Sequence, residues 1–363
     1  MTRAAAEGAG ARHLQVLTRG PRPAGGDAER EARAHAASSL TSAGFSVREE
    51  RFSYSAFPGR YATPLGGLLL GGSIVATALT ALDGRAHVAA MVLVVGVVGT
   101  ALFARWMSRA VVGLPLMRAE SANLVATRGS VEPHVWLVAH LDSKSQPVPS
   151  AVRIGGVLVV GLALALSLVA LALQLRGGDP RTLWWLIVLA AVAGAIPVLA
   201  SVVGASSDGA VDNASGAAAV LAATALLEPG IKCGVLMPSA EELGLAGASA
   251  WARTRRPSTA INCDGVDDHG DVVIMYNGAC PSALVTALRA AATRRASVRR
   301  MPLGLLTDST ALARAGWRTA TVSHGSLATL RRVHRPTDSL EHMRGTAIDE
   351  VALILARAVE ALS

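Results

Sequence analysis

Four long stretches without a charged residue constrain this chain more than any other feature. They cover residues 64–82, 88–104, 154–175 and 182–204, and Leu and Val dominate them. A helix needs about 20 apolar residues to cross the hydrocarbon core of a bilayer. Helices buried in soluble cores rarely run this long without a charge. We therefore expect four membrane-spanning helices.

The four stretches pair into two transmembrane hairpins, residues 64–104 and 154–204, because only short polar links separate the members of each pair. A hairpin returns the chain to the side of the membrane from which it entered. We therefore expect the polar segments 1–60, 107–150 and 206–363 to share one aqueous compartment. In that compartment they can fold together as a single domain.

Charged and aromatic residues near the hairpin ends predict the orientation. Basic residues favour the common side over the two links: Arg60, Arg105, Arg109, Arg118, Lys144 and Arg153, against Arg85, Arg176 and Arg181. The positive-inside rule then places the polar domain in the cytoplasm, and the N-terminal segment has no apolar run of signal-peptide type. Trp106, Trp184 and Trp185 are expected at the membrane interface. Gly67 and Gly71 favour a close helix contact.

The composition narrows the classes of partner. The net charge is +8, but the sequence contains no basic stripe with interleaved aromatic residues, so nucleic-acid binding is not expected. Contact with anionic lipid headgroups fits the charge better. The three cysteines, Cys233, Cys263 and Cys280, lie in or beside apolar runs, which predicts buried free thiols rather than disulfides.

The polar segments alternate between strand and helix patterns. Strands are predicted over residues 45–54, 121–128, 134–140, 231–238, 258–263 and 271–276. Helices are predicted over residues 28–43, 216–227, 281–292, 308–315 and 346–361. This alternation indicates an α/β fold with a mixed, largely parallel sheet flanked by helices. In such sheets, functional sites form beyond the carboxyl ends of the strands.

Carboxylates and histidines cluster at these strand ends and in neighbouring loops. The candidates are His140, Asp142, Asp212, Glu241, Glu242, Asp264 and His334. Each cluster alone has an ordinary explanation, such as a polar strand end, a helix cap or an acidic helix start. Together they offer imidazole and carboxylate ligands without thiolates, which suits two zinc ions or similar divalent metals.

Three further residues carry weaker expectations. Lys144 is expected to contact a lipid phosphate rather than substrate. Asp308 either shapes a pocket or caps a helix. His324 is the less favoured alternative to His334 as a metal ligand, because no Thr-Asp pair follows it.

The order of these motifs resembles the co-catalytic zinc aminopeptidase family, whose relatives include bacterial leucyl aminopeptidases, glutamate carboxypeptidase and the glutaminyl cyclases. The resembling segments are GPRPAGGDAEREARAHAASSLTSAGFSV, AHLDS, VDNASG, SAEELGLAGA, NCDG, TDSTALARAGWRTATVS and VHRPTDS. They cover nearly the whole polar part. The two hairpins depart from the best-known relatives and leave the substrate open.

The resemblance implies a role for each candidate. His140 and Asp264 would hold one zinc ion, Glu242 and His334 the other, and Asp212 would bridge both. The family pattern makes Glu241 the general base and Asp142 the support of His140. It also implies a cis peptide bond after Asp212.

We therefore expect a membrane-embedded zinc metallopeptidase of aminopeptidase type, which hydrolyses N-terminal peptide bonds with a water shared by two metals. Hydrophobic or membrane-derived peptides are the expected substrates, because the hairpins would place the site near the bilayer. One alternative is a one-zinc transferase like the glutaminyl cyclases, since HLDSK is also in that style. Another is a catalytically silent membrane receptor or scaffold. The oligomeric state stays open.

Overall fold

The structure, a computed structural model, describes residues 8–129, 132–293, 295–302 and 304–363. The chain forms two compact units. The sheet unit comprises Met1–Ala56, Leu114–Ser145 and Gly204–Ser363, and the helix unit comprises Phe57–Gly113 and Gln146–Val203. Residues 1–7 of the predicted polar domain lie outside the described residues.

One eight-stranded sheet organises the sheet unit, in the order β1-β2-β4-β3-β5-β8-β6-β7. The strands are β1 (Ser46–Ser55), β2 (Arg118–Arg128), β3 (Val135–Val138), β4 (Cys233–Met237), β5 (Thr259–Val266), β6 (Asp271–Tyr276), β7 (Ser297–Arg300) and β8 (Arg318–Gly325). The central strands β4, β3, β5 and β8 run parallel, whereas β1, β2 and the β6–β8 pair add antiparallel contacts. The predicted mixed, mostly parallel sheet is confirmed.

Helices cover both faces of this sheet. In the sheet unit they are α1 (Ala9–Leu17), α2 (Asp27–Ser42), α7 (Gly216–Leu226), α8 (Ala246–Ala252), α9 (Ser282–Ala291), α10 (Asp308–Arg314), α11 (Thr329–Arg332) and α12 (Thr346–Leu362). The main core packs α1, α2, α7, α9 and α12 against one face. On the other face, Trp136, Trp251 and Trp317 pack together. Gly234 permits this packing, because a Cβ there would lie 2.4 Å from the Trp136 ring.

The helix unit consists of α3 (Ala56–Leu82), α4 (Ala86–Ala110), α5 (Ser150–Leu175) and α6 (Arg181–Leu199). All four are long and apolar enough to cross a bilayer. Gly67 and Gly71 lie against α6, since added Cβ atoms would be 2.7 Å from Val198 and 3.0 Å from Ala195. The Gln174 amide donates to the Ala81 carbonyl oxygen (2.7 Å) and accepts the Trp184 indole N–H (2.8 Å). This side chain therefore links three of the helices.

Some predicted positions differ from the structure. Trp184 lies near the start of α6 and is only 1% exposed, because its ring packs among the helices and its indole N–H donates to Gln174. The fourth helix ends at Leu199 rather than at 204, because Gly204 is in an extended bridge with Ser145. The first helix begins at Ala56, well before 64.

Both segments of the helix unit leave and re-enter the sheet unit at paired positions. Ser55 and Arg118 are neighbours in the β1–β2 ladder. Ser145 and Gly204 exchange backbone hydrogen bonds of 2.9 and 2.8 Å. Each insertion therefore begins and ends at a closed stem.

Candidate metal centre

The candidate residues lie where the central parallel strands end. His140 and Asp142 follow β3, Glu241 and Glu242 follow β4, and Asp264 lies near the end of β5. These three strands are adjacent and parallel. Their carboxyl ends share one edge of the sheet, so the side chains are brought together.

Asp212 lies at the middle of the cluster. Its Oδ1 is 3.2 Å from His140 Nε2, and its Oδ2 is 2.8 Å from His334 Nε2. The two oxygens of one carboxylate thus face two histidines that are 194 positions apart in the sequence. This is the arrangement expected of a ligand that bridges two cations.

The side chains form two groups whose ligand atoms lie within 4.8 Å of one another. The first group is His140, Glu241 and Asp264, and the second is Asp212, Glu242 and His334. All five ligands predicted from the sequence are in these groups. The structure adds Glu241, the predicted base, to the first group.

The donor set fits a divalent cation. His140 Nδ1 lies 3.0 Å from the Asp142 carbonyl oxygen, which can only accept, so Nδ1 carries the proton. The Nε2 lone pair of neutral His140 is then free for a metal. His140 Nε2 and Glu242 Oε1 are buried and make no hydrogen bond to any described residue. Buried polar atoms of this kind are costly without a partner, and a cation would provide one.

Asp142 contacts both His140 and the loop that follows β4. Its carboxylate was expected to support His140, and its Oδ1 lies 3.6 Å from His140 Nδ1. The backbone carbonyl oxygen of Asp142 also accepts from the imidazole, at 3.0 Å. The carboxylate accepts the backbone amides of Glu241 and Glu242, both at 3.1 Å. Asp142 therefore fixes the loop that carries both glutamates.

The loop of Asp212 is held by two side chains. Asp338 accepts the amides of Val211 (2.7 Å) and Asp212 (3.2 Å). Asn213 donates to the Cys263 carbonyl oxygen at 2.9 Å. The peptide bond between Asp212 and Asn213 is cis, as the family resemblance implied.

Arg22 is a buried residue that the sequence did not single out. Its guanidinium donates to the carbonyl oxygens of Leu141 (2.8 Å), Gly209 (3.1 Å) and Asp208 (2.5 Å), and also to Leu17. Burial lowers its pKa to about 10, although neighbouring carboxylates oppose this. Arg22 thus ties the loop after His140 to the loop before Asp212. Its only sequence signal is its place in the GPRPAGG segment.

Burial and close neighbours shift the pKa values of the histidines and carboxylates in the cluster. Burial by itself lowers the pKa of His140, but Glu241, Asp142 and Asp212 raise it well above the ordinary value. Burial raises the pKa of Glu241 well above its usual range. Burial also raises the pKa of Asp212, but the neighbouring imidazoles of His140 and His334 outweigh this and lower it well below its usual range. Without a cation, the histidines would therefore tend to hold protons that a metal would displace.

Lys144 departs from its predicted role. It was expected at a lipid phosphate, but its Nζ lies 2.5 Å from Glu242 Oε2. Burial lowers the pKa of Lys144, but Glu242 and Glu241 outweigh this and raise it. Burial raises the pKa of Glu242, and Lys144 is the main influence that brings it down to about 2. Lys144 is thus part of the cluster.

Asp308 is buried close enough to the site for His140 to affect its pKa, whereas His324 belongs to neither ligand group. Asp308 is fully buried at the start of α10, and neither carboxylate oxygen has a hydrogen bond among the described residues. Burial raises the pKa of Asp308 to about 8, and the nearby His140 only partly offsets this. The capping of α10 is done by Thr307 instead. His324 Nδ1 donates to the Asp267 carbonyl oxygen (2.6 Å) and is not in either ligand group.

The prediction for the cysteines holds for two of the three. Cys233 and Cys263 are buried free thiols in β4 and β5. Cys280 is exposed, because it lies in the turn between β6 and α9 rather than in a strand. That part of the prediction was wrong.

Comparisons with known proteins identify the family of this chain and solved structures with a similar fold. A sequence model described as "Peptidase family M28" matches residues 123–359. The fold is similar to an aminopeptidase from Aneurinibacillus sp. strain AM-1 (TM-score 0.55, 15% identity, 98% of this chain and 93% of that chain). It is also similar to a zinc aminopeptidase from Bacillus subtilis (0.54, 16%, 98% and 94%) and to glutaminyl cyclase from Bacteroides thetaiotaomicron (0.57, 13%, 98% and 97%). A comparison with curated proteins gave no match.

Proposed function

Because the chain belongs to peptidase family M28 and is a zinc-dependent peptidase, we propose that it is a membrane-embedded aminopeptidase that works with two zinc ions. The observation that carries the proposal is the Asp212 carboxylate, whose two oxygens face His140 and His334. Each histidine belongs to a separate group of three ligands.

The two groups of side chains support one proposed assignment of ligands to the two cations. His140 and Asp264 would hold one zinc ion, Glu242 and His334 the other, and Asp212 would contact both. When bound, zinc supplies Lewis acidity, which favours deprotonation of a water and polarises the scissile carbonyl. Imidazole and carboxylate ligands suit this ion.

Glu241 is the proposed general base. Its carboxylate lies 4.0 Å from His140 Nε2 at the same cluster, and its backbone amide is fixed by Asp142. In this position Glu241 accepts the proton of the attacking water and delivers it to the amine of the departing peptide. Asp142 takes part by holding Glu241 and Glu242 in place.

The surface of the helix unit supports membrane embedding. Large apolar side chains stand exposed on its four helices, among them Met91 (61%), Val95 (71%) and Leu189 (66%). Soluble monomers rarely present apolar patches of this extent. The hydroxyls of Thr77 and Ser167 donate to carbonyl oxygens of the preceding turn (2.8 and 2.7 Å), so these polar groups are satisfied without water. The excess of arginine on the common side favours a cytoplasmic sheet unit.

The lipid bilayer and a peptide are the proposed partners. Hydrophobic peptides or remnants of membrane proteins are the proposed substrates, since such peptides partition into the bilayer that holds the enzyme. Turnover of an N-terminally leucyl peptide should rise when the same peptide carries a lipid-partitioning tail and the enzyme is in vesicles. Equal rates on the two peptides would contradict this substrate class.

The test of the catalytic role is Glu241→Gln in detergent-purified protein. We expect zinc content close to two ions per chain and a release of N-terminal amino acids about 10²–10⁴-fold slower than in the wild type. Glu31→Gln, an exposed change on α2, is the matched control. Undiminished activity of the Glu241 variant would disprove its assignment as the base.

Metal count and product separate this proposal from the alternatives. One zinc ion and cyclised N-terminal glutamine would indicate the glutaminyl cyclase-like transferase. Protein that binds zinc but turns over neither substrate would indicate a receptor or scaffold.

A further inference from the structure

Lys144 is one of very few lysines in a chain whose basic residues are almost all arginines. The chain has 34 lysines and arginines, of which only Lys144 and Lys232 are lysines. Arginine is thus the basic residue almost everywhere else, including the buried position of Arg22. A compact ammonium at the metal centre is therefore a departure from the basic residue this chain otherwise uses.

The two oxygens of the Glu242 carboxylate have different neighbours. Oε2 is 2.5 Å from Lys144 Nζ. Oε1 is 3.4 Å from His334 Nε2 and makes no hydrogen bond to a described residue. Oε2 therefore binds the ammonium of Lys144, and Oε1 faces His334, another member of the second ligand group.

The position of Lys144 is fixed on both sides. The Ser143 amide donates to the Arg22 carbonyl oxygen (2.9 Å), and the Ser145 amide donates to the Gly204 carbonyl oxygen (2.9 Å). The Lys144 side chain is 15% exposed. The ammonium is thus presented to Glu242 by anchored backbone, whereas a surface lysine would move freely in solvent.

We propose that Lys144 is a positioning residue that keeps Glu242 a one-oxygen ligand of the second cation. This rests on the proposed two-zinc function. An ammonium binds as a point charge and takes one oxygen, whereas a guanidinium presents a fork that binds both oxygens of a carboxylate. Lysine thus leaves Oε1 for the cation.

The contact between Lys144 and Glu242 would lower the affinity for the second cation but leave one coordination position on that cation open. The ammonium removes one negative charge from the Asp212, Glu242 and His334 group, which weakens cation binding. It also prevents Glu242 from closing around the ion with both oxygens. Catalytic zinc sites keep one position for water or substrate, and Lys144 preserves it here.

Two substitutions should act in opposite directions. Lys144→Met removes the charge and releases Oε2, so the second zinc ion should bind at least about tenfold more tightly. Lys144→Arg places a fork over both oxygens, so that ion should bind at least about tenfold more weakly. A residue that only stabilises the fold would weaken binding in both variants.

The measurement is a zinc titration of the full-length, detergent-purified protein against a chromophoric chelator. His334→Ala identifies which binding event belongs to the Glu242 group. Lys232→Met, a change of the exposed lysine, is the matched control and should leave both affinities unchanged. Cobalt(II) provides a second readout, since its visible absorption weakens as the coordination number rises. We expect weaker absorption in Lys144→Met.

Unchanged or weaker zinc binding in Lys144→Met would overturn the inference, as would wild-type affinity in Lys144→Arg. Peptide hydrolysis by the loaded wild type is measured separately. If that protein hydrolyses no peptide while the two variants shift zinc affinity in opposite directions, the proposed function fails and the role of Lys144 stands.

Discussion

Glu29 makes the stability of the sheet unit depend on pH in a way that can be measured. It is fully buried on α2, where it accepts the Gly25 amide (2.7 Å) and the Ser121 hydroxyl (3.3 Å). Arg33 Nη1 lies 3.4 Å from Glu29 Oε2. Burial is the main cause that raises the pKa of Glu29 from 4.5 to about 7, and Arg33 only partly offsets it. Ionised Glu29 is therefore unfavourable in the folded protein.

The direction of the effect follows from proton binding. Between pH 4.5 and about 7 the folded chain holds a proton on Glu29 that the unfolded chain has released, so the free energy of unfolding falls as the pH rises through this window. At 1.36 kcal/mol for each pH unit the whole loss is ~3 kcal/mol, of which ~2.5 kcal/mol develops between pH 5 and pH 8. Glu29→Gln cannot ionise and keeps an oxygen for the Gly25 amide.

We therefore expect the stability advantage of Glu29→Gln to grow with pH. Since 1 kcal/mol moves the melting temperature of a domain of this size by ~2–4 °C, the difference between variant and wild type should increase by ~5–10 °C from pH 5 to pH 8. Scanning fluorimetry of the zinc-free protein in detergent measures it. Glu31→Gln, exposed on the same helix, should show no such change.

Two results would refute this reasoning. A melting-temperature difference that stays constant with pH would show that Glu29 does not hold a proton in the folded protein near neutrality. A variant that is less stable than the wild type at pH 8 would show that the pairing with Arg33 outweighs the burial of the charge.

Three further changes test the supports of the metal centre. Asp212→Asn should lower the affinity for both zinc ions, measured as metal content after dialysis, because one carboxylate faces both histidines. Arg22→Met leaves several buried carbonyl oxygens without a donor, each worth ~1–3 kcal/mol, and should lower both the melting temperature and the zinc content. Gly216→Ala would put a Cβ 2.1 Å from Asn213 Oδ1, so zinc affinity should fall. Gly66→Ala, where a Cβ meets no atom within 4 Å, should have no effect.

The sequence predicts that the candidate ligands lie together because polar residues stand at the ends of predicted strands. The apolar runs before His140, Glu241 and Asp264 locate the ends of adjacent parallel strands. Parallel strands present those ends at one edge, so convergence follows from topology. Asp212 and His334 are polar candidates in loops, which carry no periodicity, so only the order of motifs assigns them to particular cations.

The parts that could not be predicted depend on contacts across long sequence distances. Arg22 stands in a loop of prolines and glycines that reads as surface, and only the packed fold shows the carbonyl oxygens around it. Lys144 was misassigned because a lysine a few residues before an apolar helix also suits a lipid headgroup. β7 has only four residues and α8 only seven, which is too short for a periodic signal, and the eight residues of β8 contain only Ala320 and Val322 as apolar side chains.

The paired stems at Ser55–Arg118 and Ser145–Gly204 have a consequence for engineering. At each stem the chain ends already lie at hydrogen-bonding distance, so a two-residue β-turn could replace residues 57–116, closing on Ala56 and Met117, and another could replace residues 146–203. The excised protein would retain every ligand and every support of the cluster. We expect such a minimal version to dissolve without detergent and to bind zinc, which would make the metal site and the proposed membrane-spanning helices separable parts of one chain.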